Sequence, residues 1–133
     1  MELDMNVFKE ICDTIGVRIG YADENRISKF FNKTFLESGK RKEEDLDKPL
    51  KDCHSEKSYA KIDFMYRAFE KGRTEPFVLK MDIDGDKTVI HYHPIFFEGV
   101  FKGVFEAIIY PDKLLEGFPY PGEFSVFRSG QSS

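Results

Sequence analysis

The stretch that decides the fold is residues 76–110, PFVLKMDIDGDKTVIHYHPIFFEGVFKGVFEAIIY. Two turn signals interrupt it, Asp84-Gly85-Asp86 and Glu98-Gly99. An acidic residue followed by glycine between apolar runs suits a tight hairpin, whose central residues take positive φ. The stretch therefore predicts three antiparallel strands in succession. Such a meander must lay one face against a cover, and what covers it decides what the chain does.

Side chains alternate across a strand. In Pro76–Ile83, Phe77, Leu79, Met81 and Ile83 share one face. In the next run, Ile90, Tyr92 and Pro94 oppose Val89, His91, His93 and Ile95. In the last, Phe105, Ala107 and Ile109 oppose Val104, Glu106, Ile108 and Tyr110. The last two strands are apolar on both faces, which predicts a second cover, either the N-terminal helix or a second copy of the chain.

Upstream, Ser55–Lys71 is the clearest helix. Tyr59, Ile62, Met65, Tyr66 and Phe69 fall on one broad face, with Lys57, Lys61, Arg67 and Lys71 mostly opposite. Ser55 suits the N-cap and Gly72 the position after the end. Glu2–Thr14 predicts another helix, with Leu3, Val7 and Ile11 on one stripe, and Gly16 ends it. GVRIGYAD (residues 16–23) alternates Val17, Ile19 and Tyr21 against Arg18, Gly20 and Ala22, as a half-buried strand does. ADENR turns the chain, and RISKFFN (residues 26–32) returns it as the second strand of a hairpin. Asn32–Gly39 reads as a short helix, and Lys42–Cys53 as weakly helical or irregular, broken at Pro49. The order is helix, two strands, short helices, long helix, three strands. It predicts an α+β plan: a five-stranded antiparallel sheet with helices on one face.

Composition narrows the function. The 133 residues suit one domain. Net charge is −4 with the signs interspersed, so no dense basic patch points to nucleic acid. No apolar run approaches a membrane span, and the mixed, acidic start is unlike a secretory signal. The expectation is a cytoplasmic location, and the two cysteines, Cys12 and Cys53, fit reduced thiols. GKRKEED (residues 39–45) reads as a solvated charge run. Fourteen phenylalanines and no tryptophan predict a thick aromatic core with room for a cavity.

The element order resembles a PAS domain over residues 3–113. DCHSEKS (residues 52–58) resembles the Cys-His-Pro motif of one PAS subfamily, found in small bacterial and archaeal proteins and beside hemerythrin-like modules. Ser55 and Glu56 stand where that subfamily has prolines. FEKGRTEPF (residues 69–77) and IHYHPIFFEGVFKGVFEAI (residues 90–108) resemble the family's Phe-x-x-Gly, Tyr-x-Pro-Ile and final-hairpin patterns. The resemblance implies a sensory domain of residues 1–113 that is not an enzyme. It would hold a small ligand or cofactor in its aromatic core, through His54, Tyr92, Met65, Phe69 and Phe105. It also implies a homodimer formed through the N-terminal helix or outer sheet face, or a ligand-free pairing module.

His54, just before the long helix, is the sharpest candidate. If haem were the cofactor, a neutral imidazole there would ligate its iron. No Cys-x-x-Cys-His is present, so any haem would be non-covalent. His91 and His93 point the same way and form half of a zinc site, with Glu106 on the neighbouring strand as a third ligand, or else a polar stripe. Asp82, Asp84 and Asp86 lack the acidic closing ligand of a calcium loop and read as a turn. No phosphate loop or nucleophile elbow appears. In the tail, residues 114–133, Pro119 and Pro121 exclude a long coiled coil, and the last residues read as disordered. Output is then expected from a separate partner.

Overall fold

The computed structural model describes residues 2–115. It runs α1 (Met5–Thr14), β1 (Arg18–Asp23), β2 (Ser28–Phe31), α2 (Lys33–Glu37), single 3-10 turns at Glu43–Asp45 and Leu50–Asp52, and α3 (Glu56–Glu70). Then come β3 (Phe77–Ile83), β4 (Asp86–Phe97), β5 (Val100–Ile109) and α4 (Pro111–Leu115). The strands form one antiparallel sheet in the order β2-β1-β5-β4-β3. The α+β expectation holds. The expected tail lies outside the described residues, apart from the last residues of α4.

Both hairpin turns follow their chemistry. Asp84, Gly85, Glu98 and Gly99 all have φ between 51° and 85°, the left-handed geometry that matches strand twist. Gly103 has φ +129°, and a Cβ there would lie 2.1 Å from the Ala22 carbonyl oxygen. Only glycine lets β5 approach β1 this closely.

Ser55 caps α3 by accepting a hydrogen bond from the Ser58 amide at 3.2 Å. Gly72, at φ +106°, ends it. Ile62, Met65, Tyr66 and Phe69 are buried against Val104 of β5, each worth about 1.5–3 kcal/mol of burial. The Tyr66 hydroxyl donates to the Asp23 carbonyl at 2.9 Å, which satisfies its polar end inside the core. One long edge of α3 is clamped by Arg26 in the β1–β2 turn. Its guanidinium reaches Asp63 at 2.6 Å, the Tyr59 hydroxyl at 2.9 Å and Glu70 at 3.5 Å, and lies 5.0 Å from the centre of the Tyr66 ring. The opposite edge is open: Phe64 is 66% exposed and only grazes Phe77, with ring centres 5.9 Å apart.

Two expectations are corrected. In β1 the small residues Gly20 and Ala22 are buried, whereas Ile19 and Tyr21 are only half-buried. The rings of Phe31 and Phe35 stand over Gly20, 3.3–3.4 Å from where a Cβ would be. Bulk on β2 and α2 therefore demands smallness on β1. Second, α1 does not cover the outer sheet face. It is tied beside α2, where the Asn32 side-chain amide donates to the Cys12 carbonyl at 2.8 Å and Lys33 N donates to Asp13 at 2.9 Å. No residue of α1 is buried, and Val78, Phe97 and Val100 on the sheet are also exposed.

Candidate functional site

Register sorts the candidate residues by face. Tyr92 of β4 pairs with Glu106 of β5, Ile90 with Ile108, and Pro94 with Val104. This is the face beneath α3. His91 pairs with Ala107 and His93 with Phe105, on the opposite face. Glu106 therefore cannot join His91 and His93, and among the described residues no group of three metal-ligating side chains forms. The two imidazoles contact each other, with Nδ1 of His91 and Nε2 of His93 3.4 Å apart. Phe105 stacks beside His93 on the outer face, ring centres 6.1 Å apart. It is not a pocket residue, because strand alternation turns it away from the roof.

Beneath the roof the space divides in two. A tight void of about 40 Å³ lies over Gly20 and Ala22, bounded by Met65, Tyr66 and Val104. Beside it, sharing lining residues, lies a cleft of about 300 Å³, the lower end of the ligand-pocket range. The cleft floor is apolar, built from Leu79, Ile83, Ile90 and Ile108, and α3 closes it with Ile62 and Met65. Arg41, His54, Tyr92 and Glu106 line both spaces. Of the predicted contacts, His54, Tyr92 and Met65 meet here. Phe69 sits deeper, fully buried in the aromatic cluster with Phe77 and Phe101.

His54 is held at both nitrogens. Nδ1 is 2.7 Å from the Leu50 carbonyl oxygen and Nε2 is 2.7 Å from the Arg41 guanidinium. A carbonyl only accepts and a guanidinium only donates. The imidazole is therefore neutral, with its proton on Nδ1. Burial holds its pKa below the ordinary value, and the nearby Arg41 charge adds to this, against the pull of the Leu50 bond. The Nε2 lone pair that would ligate iron is already taken by Arg41, so this arrangement does not fit haem.

Among the described residues Glu106 is the only acid lining the cleft. Enclosure by protein pushes its pKa up to about 7, and the positive charge of Arg41 only partly offsets this. Glu106 is nonetheless only half-buried. Near neutral pH the carboxyl is thus both donor and acceptor. Burial, and then the Glu106 charge, raise the pKa of Tyr92, so its hydroxyl keeps its proton. Sequence reasoning missed Arg41, hidden in the charge run 39–45, and placed Glu106 with the wrong partners.

A sheet floored by apolar residues, roofed by one helix and enclosing a ligand-sized polar-ended cleft has the architecture of a small sensory module. A family model described as "PAS domain" matches residues 8–109. The chain belongs to the PAS domain family. Solved structures agree on the fold. A C-terminal domain from Streptococcus mutans superposes with TM-score 0.76 at 16% identity, over 86% of this chain and 90% of that one. The PAS domain of BvgS from Bordetella pertussis gives 0.59 at 15%, over 84% and 88%. A Rhodobacter sphaeroides LOV protein gives 0.54 at 16%, over 82% and 69%. A search of the curated proteins finds no match. Among the described residues no helix is long and apolar enough to cross a membrane.

Proposed function

We propose that this PAS sensory and signalling domain binds a small molecule in the cleft between α3 and the sheet. The observation that carries the reading is convergence. Arg41, His54, Tyr92 and Glu106 all line one end of a cleft of about 300 Å³ whose floor is apolar. Such a pocket gives affinity through the floor and orientation through the polar end. Native mass spectrometry of freshly purified protein tests it, with an absorption spectrum alongside. A small adduct that is lost on denaturation, and lost in a Met65→Trp variant that fills the cleft, is the expected result. An adduct that survives in that variant sinks the reading.

A second reading accompanies it. Met5, Val7, Phe8, Ile11 and Ile15 are all 43% or more exposed along α1 and its end. A continuous apolar stripe of this kind marks an association surface. We propose that α1, or the outer sheet face, pairs two copies of the chain and transmits cleft occupancy to a partner.

A further inference from the structure

We propose that the ligand of this cleft is a small organic anion with an apolar body, its charged end on Arg41 and its body on the sheet floor. The inference rests on the reading of the cleft as a ligand site and adds the chemical class.

Charge is the first ground. Among the described residues Arg18, Lys40, Arg41 and Lys61 line the cleft, against the single acid Glu106. Lys40 is partly spent on Asp84 at 3.4 Å, and Arg18 is directed to the Tyr110 hydroxyl at 2.9 Å. Among the described residues Arg18, Arg41 and Lys61 all lack a carboxylate within ion-pair distance. Of the three, Arg41 alone also lines the inner void, beside His54 and Glu106, and it is not anchored on an acid. Its guanidinium is fixed instead by two neutral acceptors, His54 Nε2 and the Lys40 carbonyl, both at 2.7 Å. Among the described residues two of its five N–H groups are used, which leaves three donors on a half-buried, immobilised cation. A preorganised guanidinium fork is matched by a carboxylate or a similar planar anion. A neutral or cationic ligand would leave it uncompensated.

The position of Glu106 is the second ground. An ionised carboxylate in the cleft would repel an anion, but this one is pushed up to about 7 by its surroundings. In its protonated form it donates a hydrogen bond to the same anion. The third ground is the floor. Leu79, Ile83, Ile90 and Ile108 carry no charge, so the remainder of the ligand is hydrocarbon, aliphatic or aromatic.

The test compares molecules of one shape and three charges. Octanoate, octanamide and octylammonium form one set, and 3-phenylpropionate, its amide and its amine form another. All are titrated against the full chain by amide chemical-shift perturbation. Binding of the carboxylates with shifts at Arg41, His54 and Ile108, at least tenfold tighter than the amides, is expected. In Arg41→Gln that preference should fall to within about twofold, and Arg41→Lys should restore part of it. An unchanged melting temperature of the ligand-free variants separates lost binding from lost folding. Amides binding as well as carboxylates, or amines binding better, overturns the anion class and leaves the cleft as a ligand site. Absence of any cleft shifts from all six compounds overturns both.

Discussion

At the scale of single residues, His54 and Glu106 make opposite demands on pH. His54 is folded neutral with a depressed pKa. Its unfolded form takes up a proton first, near pH 6.5, so stability is present above that value and declines as pH falls below it. Glu106 is folded with a raised pKa, about 7 against 4.5 unfolded. The fold then holds the extra proton, so stability is full below about pH 4.5 and declines as pH rises to about 7. Glu106→Gln should therefore be more stable than the parent at pH 8, by up to about 3 kcal/mol, and equal to it near pH 4.5. Urea midpoints across that range check it, and a Gln variant weaker at pH 8 would contradict the account. His54→Gln should flatten the decline below about pH 6.5 in the same measurement. That His54 lines the cleft was legible because a histidine stood at the start of the roof helix. Arg41 was not, since a charge run usually faces solvent and nothing local marks the one arginine that turns inward. For Glu106 and Phe105, alternation told which residues share a face but not which face lies under the helix.

At the scale of elements, one position carries geometry that only glycine supplies, and another holds the start of the roof helix. Gly103→Ala would place a methyl group 2.1 Å from a backbone oxygen of the neighbouring strand. Backbone yields poorly, so this change should cost at least about 3 kcal/mol through strain and overpacking. Thermal unfolding reads the loss, and Gly99→Ala, which has open space around it, serves as a milder control. Ser55→Ala removes the cap of α3 and should cost about 1 kcal/mol. A loss well above that would show that Ser55 also holds the His54 loop. The helix α3 was readable because its apolar stripe, cap and terminal glycine all agree. The buried face of β1 was not. There the larger residues sit on the outer face, since the rings of Phe31 and Phe35 already fill the inner space.

At the scale of the whole molecule, hairpin spacing and the long helix made the five strands readable. The placing of β5 between β4 and β1 is a long-range pairing, which no local pattern encodes. The position of α1 was also beyond the sequence. An amphipathic helix announces that it will cover something, and here its apolar side stays open. Light scattering should report a dimer, and Phe8→Glu combined with Ile11→Glu should shift it to monomer without lowering ligand affinity in the cleft. A parent that stays monomeric at high concentration would count against pairing.

The clamp at Arg26 has a mechanical consequence. The roof is bound along one margin, like a page in a book, and free along the other. Arg26 grips Tyr59, Asp63 and Glu70, residues spread along most of the helix length, so α3 resists sliding and lifting but not swinging. If occupancy of the cleft moves α3, the clamp favours a turn about that margin. Spin labels at positions 64 and 81 should change their separation when the cleft fills, while labels at positions 24 and 67, astride the clamp, should keep theirs.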